Sequence, residues 1–258
     1  MNHINYFFRA IWTEGIKLKN TIGFLSVFIF PIIIQMFLFL LFYNKPEMLI
    51  NENMNPWAIY TRILLNMWTI LFLPMFIAIA TFYINFHEHK SNGWKHLYSL
   101  PVPKISIYTA KFVTSILLVV LTIAVLYIVN IISIKTLGAL HPESKANEYS
   151  EYGMIFFLFS KMIFSTIGLI AIQFLLSLLF MNFFIPLGVG ILATILTALA
   201  LGWDKIIYFP YAFPPIVVQN WAKGNWDFFT QNIIFSLLTG LIVFVAGYFL
   251  HKKYMFRD

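Results

Sequence analysis

The residues best suited to carry chemistry in this sequence are six histidines and a small set of acids and lysines. His87, Glu88 and His89 resemble a fragment of the HExxH motif, in which two histidines one helical turn apart bind zinc. Position 91 is serine, so the second histidine of that motif is missing, and adjacent helical residues do not face each other. The other histidines are scattered along the chain: His3, His96, His141 and His251. The sequence therefore predicts no metal site.

The sequence also lacks the usual signatures of catalysis and of energy coupling. It contains no GxxxxGK[ST] phosphate loop, no GxSxG nucleophile motif and no cysteine. No acidic residue lies in the middle of an apolar segment, whereas proton pumps and many secondary transporters use carboxylates there. We expect no catalytic residue and no resident cofactor, which argues against an intramembrane enzyme. A membrane protein with this sequence must therefore borrow its energy from a partner or act passively.

The polar residues inside the apolar segments are mostly uncharged amides. We expect them to form hydrogen bonds between helices, each contributing about 0.6 kcal/mol. Lys161 is the one charge well inside a predicted helix, and two interpretations stay open: its stem extends outward to the membrane surface, or it lines a substrate route. The amides are Gln35, Asn66, Asn85, Asn130, Gln173 and Asn182.

The composition that surrounds these residues is that of a membrane protein. Of the 258 residues, 60% are hydrophobic and only 10% are charged, against about 25% charged residues in soluble domains. A helix needs about 20 apolar residues to cross the bilayer, and charge-free stretches of that length predict six transmembrane helices. One stretch of double length is divided at Asn182–Pro186, where proline favours a new helix start. The predicted helices are 21–43, 63–86, 112–134, 154–181, 187–201 and 228–250.

The distribution of charge predicts the orientation of these helices. The side that carries both termini holds ten basic and three acidic residues, whereas the other side holds seven of each. Basic residues are concentrated on the cytoplasmic side of membrane proteins. We therefore expect both termini, including the tail 251–258, to lie in the cytoplasm.

Three segments outside these helices have a pattern of their own. Residues 1–20 have helical apolar spacing and predict an amphipathic helix in the membrane interface; the alternative is a basic flank that only sets orientation. The loop 87–111 predicts a short helix that begins near Trp94 and stops at Pro101; the alternative is an ordinary loop. The segment 202–227 is apolar but broken by prolines, and it predicts a re-entrant structure; the alternative is a loop on the outer surface.

With these elements in order, the whole chain resembles an ABC-2 type transporter permease, especially the permeases of lantibiotic and bacteriocin immunity exporters. The resemblance rests on the order of the helices and on a pattern in the loop 87–111 that reads E-x5-W-x2-L-x-S-L-P-V. The residues of that pattern are Glu88, Trp94, Leu97, Ser99, Leu100, Pro101 and Val102, followed by Lys111 at the start of the third span. The implied fold class is an all-α polytopic membrane protein with six transmembrane helices, an N-terminal interfacial helix, a cytoplasmic coupling helix and an extracellular re-entrant segment.

The resemblance implies a permease that is not itself an enzyme, with ATP and Mg bound by a separate cytoplasmic ABC ATPase. A second permease chain, identical or homologous, would complete the transporter in a bacterial cytoplasmic membrane, in contact with membrane lipids and not with nucleic acid. The cargo would be an antimicrobial peptide or a similar amphipathic molecule. The residues implied in contact with the ATPase are Glu88, Trp94, Lys95, Leu97 and Leu100.

The cargo pathway is a further hypothesis. The absence of intramembrane carboxylates, together with many Phe and Met residues, favours a broad apolar cavity for an amphipathic cargo. Its expected lining is Gln35, Met36, Phe39, Asn66 and Trp68. The alternatives are an ABC-2 exporter of a drug, glycolipid, polysaccharide or ion, and a membrane sensor or assembly subunit that moves nothing.

Overall fold

The computed structural model describes residues 3–50, 55–90, 93–99 and 101–255, and every regular element in those ranges is helical. Short 3₁₀ turns lie in the connections, and one π turn joins α3 to α4. The α-helices are α1 His3–Leu18, α2 Ile22–Asn44, α3 Pro56–Met67, α4 Leu73–Lys90, α5 Gly93–Ser99, α6 Lys104–Leu140, α7 Tyr152–Ser165, α8 Ile167–Leu179, α9 Phe184–Ala200, α10 Phe213–Ala222 and α11 Gln231–Met255.

Five helical segments in the described ranges are long and apolar enough to cross a membrane: Ile22–Asn44, Pro56–Lys90, Lys104–Leu140, Tyr152–Leu179 and Gln231–Lys252. Helix α9 takes the place of the predicted fifth span, but it has only 17 residues, at the lower limit of about 17 to 25 for one crossing. The five long helices establish a multi-pass membrane protein, whereas a crossing by α9 stays a prediction.

Helix α6 is much longer than the span 112–134 that its hydropathy predicts. Its 37 residues make it about 55 Å long, well beyond a hydrocarbon core of about 30 Å. Lysines do not end a helix, because lysine is a good helix former and backbone hydrogen bonds continue outside the bilayer. Hydropathy therefore located the apolar part of α6, and the helix itself extends past Lys111 to Lys104.

A π turn, Trp68–Phe72, joins α3 and α4 into one span of 35 residues. Pro74 follows directly, and a proline ring in a regular helix clashes with the carbonyl four residues earlier, here that of Ile70. Ile70 lies inside the π turn, so the wider turn occurs where the proline requires the helix to deform.

The span that contains α7 and α8 is interrupted at Thr166, and a serine of α11 bridges the interruption. The Ser236 hydroxyl donates to the carbonyl of Ser165 at 2.8 Å and accepts the Gly168 N–H at 3.0 Å. A Cβ on Gly168 would lie 2.9 Å from the Ser236 carbonyl oxygen, so only glycine allows the two backbones to approach this closely. Backbone groups within a membrane need such partners, and small residues let helices supply them.

The segment between α9 and α11 forms two 3₁₀ turns and then α10. Pro214 and Pro215 occupy the first turn of α10, where the missing N–H groups have no helical acceptor. Val217 and Val218 are fully buried, and α10 packs on α3, α7 and α11. This segment is thus built into the bundle, while its re-entrant depth relative to the lipid stays a prediction.

Candidate functional site

The largest concentration of buried charge lies at the end of the bundle that carries α1 and the loop helix α5. Lys17 Nζ is 2.7 Å from both Glu14 Oε1 and Glu88 Oε1, and Lys111 Nζ is 2.8 Å from both Glu14 Oε2 and Glu88 Oε2. Each carboxylate therefore bridges both ammonium groups, and the four charges sum to zero. Lys111 also donates to the Ile84 carbonyl at 2.7 Å. We call Glu14, Lys17, Glu88 and Lys111 the ion network.

The ion network joins three helices that are distant in sequence. Glu14 and Lys17 lie on α1, Glu88 on α4 and Lys111 on α6, and the Lys111 side chain is 0% exposed. Burial lowers the pKa of Lys17, but the attraction of Glu14 and Glu88 outweighs it, so the pKa of Lys17 lies above its ordinary value. The ion pairs hold α1 to α4 and α6, and of the four side chains only that of Lys17 is substantially exposed, at 27%.

Trp94 of α5 lies over the ion network. The Lys111 ammonium is 5.4 Å from the centroid of the Trp94 ring, within the range of a cation–π interaction. The indole N–H donates to His89 Nδ1 at 3.4 Å, and the ring centroid of His251 lies 4.6 Å from that of Trp94. Trp94 is only 5% exposed, so its contacts fix α5 against α4 and the end of α11.

A groove runs over the outer side of the ion network, between α1, α5 and the start of α6. Arg9, Thr13 and Lys17 line it from α1, and Leu97 lines it from α5. Its volume is about 280 Å³. The side chain of Leu97 is half-buried, so part of it faces the groove. The groove therefore combines polar side chains of α1 with an apolar side chain of α5.

The predicted coupling residues differ in how far they are exposed to a partner. Glu88 is 2% exposed and paired with Lys17 and Lys111 of its own chain, so the implied contact of Glu88 with the ATPase does not fit this geometry. Trp94 is likewise turned inward, and Leu97 is the member that lines the groove. Leu100 lies outside the described residues, as does the side chain of Lys95.

Glu14 and Lys17 are site residues that the sequence analysis missed, since it treated both as the polar face of an interfacial helix. One signal was present: Glu14 is one of only three acids on the side of the termini, and Lys17 follows it by three residues, on the same helical face. Nothing in the local sequence indicates that this face packs on α4 and α6.

The predicted pathway residues do not form one surface. Gln35 is buried, accepting from the Tyr60 hydroxyl at 2.9 Å and donating to the Leu126 carbonyl at 3.2 Å. Trp68 is also fully buried, whereas Met36 is exposed on the outside of α2. Phe39 and Asn66 are half-buried. In this single chain Gln35 joins α2, α3 and α6, and only Met36 among the five is open to the surroundings.

Other amides confirm the expected hydrogen bonding between elements. Asn85 of α4 donates to Ser177 of α8 at 2.8 Å, and Gln173 of α8 donates to the Tyr211 hydroxyl at 2.7 Å. Asn182 departs from this expectation, because its side-chain oxygen accepts the N–H of Phe184 at 2.9 Å, a local bond at the start of α9.

Lys161 does not extend to the surface. Its side chain is fully buried and donates to the Asp227 carbonyl at 2.8 Å, with the Phe157 ring centroid 5.5 Å from the ammonium. The ammonium is therefore covered and held by a carbonyl of the connection between α10 and α11, whereas a role of Lys161 in a substrate route stays a prediction. Lys161 thus ties α7 to that connection.

Comparison with known proteins gives one match. The model of the ABC-2 family transporter protein matches residues 10–197, well over half of the chain. That range begins within α1, ends within α9 and includes the whole ion network. No curated protein and no solved structure matches the chain.

Proposed function

The chain belongs to the ABC-2 family of transporter proteins, and we propose that it is the membrane-spanning permease subunit of an ATP-driven exporter. The observation that supports a coupling role most directly is the groove between α1 and α5, which lies over an ion network joined to two long membrane helices. A protein seated in that groove would contact both short helices at once.

The partner in that groove is a cytoplasmic ABC ATPase, which binds ATP and Mg, because this chain has no phosphate-binding loop. A displacement of α1 is passed to α4 and α6, since Glu88 pairs with Lys17 and Lys111 pairs with Glu14. A displacement of α5 reaches α6 through the Trp94 ring, which lies 5.4 Å from the Lys111 ammonium. Buried ion pairs contribute little net stability, so we assign the network a positioning role.

Within this mechanism Leu97 is the contact residue, and Glu88 and Trp94 are positioning residues. Leu97 lines the groove, whereas Glu88 and Trp94 are buried against the bundle. Lys95 and Leu100 stay candidates for the ATPase contact.

A second permease chain would complete the pathway. The apolar outer surface of α2, with Met36, needs cover from lipid or from protein. The orientation that fits this mechanism places both termini in the cytoplasm of a bacterial cell. The cargo we favour is an antimicrobial peptide, as in immunity exporters, or a similar amphipathic molecule, because the apolar segments are rich in Phe and Met and hold no acidic residue in their middle. Drugs, glycolipids, polysaccharides and ions are the other cargo classes.

The proposal is tested by purifying tagged permease from its native host and identifying the associated ATPase by mass spectrometry. Leu97→Asp should reduce the recovered ATPase at least tenfold, because a charge replaces an apolar contact. Leu140→Asp, which places the same charge on an exposed leucine at the opposite end of the bundle, is the control and should leave recovery unchanged. Equal recovery with both variants would contradict the coupling site. Association without any cargo-stimulated ATP hydrolysis would instead support a sensor or assembly subunit.

A further inference from the structure

A second concave surface lies where α1 meets α2, on the side of α1 away from the ion network. The surface is lined by Phe8, Trp12, Gly15 and Ile16 of α1, by Lys19 of the turn that follows and by Phe24 of α2, around a volume of about 810 Å³. We call this surface the elbow pocket. Trp12 is 75% exposed, so its ring faces the pocket without cover from the described part of the chain.

The turn between the two helices fixes the shape of the elbow pocket. Asn20 adopts a left-handed conformation with φ of 65°, which ends α1 and which asparagine tolerates better than most residues. The Thr21 hydroxyl accepts the Phe24 N–H at 3.3 Å and donates to the Leu18 carbonyl at 2.7 Å. These bonds start α2 immediately after the turn, so the apolar faces of α1 and α2 form one concave corner.

The elbow pocket is continuous with the lipid-facing surface of the protein. Elsewhere on α2, Ile22, Leu25 and Ile29 are exposed and form an apolar outer surface beside it. Phe28 continues the Phe24 face of α2, with its ring centroid 5.7 Å from that of Phe24, and it is exposed. An acyl chain of the bilayer can therefore reach Phe24 and Trp12 along an apolar surface. Gly15 leaves the middle of the pocket open, and a Cβ placed there meets no protein atom within 4 Å.

The charge at the pocket is positive. Lys17 and Glu14 are neutralised within the ion network, whereas Lys19 is exposed and forms no ion pair in the described part of the chain. Lys19 lies at the rim of the pocket, where its ammonium meets the headgroup region. Basic residues at this level attract anionic headgroups.

We propose that the elbow pocket binds one anionic phospholipid, with an acyl chain against Trp12 and Phe24 and the phosphate beside Lys19. The proposal rests on the membrane location that the family establishes and not on the ATPase contact, so the two fail independently. A lipid bound here would hold α1 at the membrane surface while the ion network holds its other face to the bundle.

Tryptophan quenching tests this directly in nanodiscs of phosphatidylcholine, into which phosphatidylglycerol or phosphatidylcholine with brominated chains is added at equal mole fraction. The chain has seven tryptophans, and the difference between the unmodified protein and Trp12→Phe isolates the Trp12 signal. We expect brominated phosphatidylglycerol to reach half-maximal quenching of Trp12 at about fivefold lower mole fraction than brominated phosphatidylcholine, which corresponds to about 1 kcal/mol for one basic residue.

Two variants and one control make the result specific. Lys19→Gln should remove the preference for phosphatidylglycerol, and Lys90→Gln, which removes an exposed lysine of α4 outside the pocket, should retain it. Gly15→Leu fills the pocket and should reduce quenching by both lipids. Equal quenching of the unmodified protein by both lipids would overturn the proposal in favour of unselective lipid contact. Absence of quenching by either would overturn it in favour of a protein cover, such as a second copy.

Discussion

The ammonium of Lys111 lies 2.8 Å from a carboxylate oxygen of Glu14, although the two residues are 97 positions apart in the sequence. This contact attaches α1, which precedes the first membrane-spanning helix in the sequence, to α6. Because Glu88 completes the same network from α4, α1 cannot move away from the bundle without separating buried charges. The amphipathic pattern of α1 therefore serves two environments, the bundle on one face and the membrane interface on the other.

Removal of Lys111 should be strongly destabilising. Lys111→Met leaves Glu14 and Glu88 with Lys17 alone, and one buried charge without a partner typically costs about 3 to 5 kcal/mol. We expect the thermal midpoint of the detergent-solubilised protein to fall by many degrees, as measured by size-exclusion chromatography after heating. Lys135→Met, on the exposed surface of the same helix, is the control and should change it little.

The double variant Glu14→Gln, Lys111→Met separates charge balance from packing. It removes one charge of each sign, so the remaining Glu88 and Lys17 still form a pair at 2.7 Å. We expect it to be more stable than Lys111→Met alone, because the uncompensated carboxylate is gone. A double variant that is less stable than either single variant would contradict the charge-balance explanation.

The bridge across the interruption of α7 and α8 gives a second prediction. Ser236→Ala removes both the acceptor of the Gly168 N–H and the donor to the Ser165 carbonyl. Leaving buried polar groups unsatisfied costs about 1 to 3 kcal/mol, so the thermal midpoint should fall. Ser160→Ala is the matched control, because that hydroxyl only donates to the Phe156 carbonyl of its own helix. Equal effects of the two substitutions would show that the bridge contributes nothing.

The architecture was predictable from the sequence to the extent that it follows from hydropathy. The apolar runs located the long helices, and the proline at 101 correctly bounded the loop helix α5. The length of α6 was not predictable in this way, because a helix continues after its apolar part ends. The ion network was missed for a different reason: it brings together residues of α1, α4 and α6, and only tertiary packing reveals which charges meet.

Gly168 provides a third prediction, about backbone approach between α8 and α11. An alanine there would place its Cβ 2.9 Å from the Ser236 carbonyl, and a backbone atom cannot move aside cheaply. We expect Gly168→Ala to lower the thermal midpoint, even though alanine is the better helix former. Gly153→Ala is the matched control, because its Cβ would meet nothing within 4 Å. There the substitution should be neutral or stabilising, and a similar loss at both positions would argue against close packing.

The orientation of the bundle gives the last prediction, which the lack of natural cysteine makes simple to test. Lys90 ends α4 beside the loop helix, and Ser150 precedes α7 at the opposite end; both are exposed. Ser144 is a poorer site on that side, because it is only 3% exposed and a cysteine there would report burial.

The excess of basic residues on the side of the termini predicts that side to be cytoplasmic. In intact cells a membrane-impermeant maleimide should therefore label Ser150→Cys and not Lys90→Cys, and permeabilisation should make both reactive. Labelling of Lys90→Cys in intact cells would reverse the orientation, and labelling of neither after permeabilisation would show that the two positions are covered.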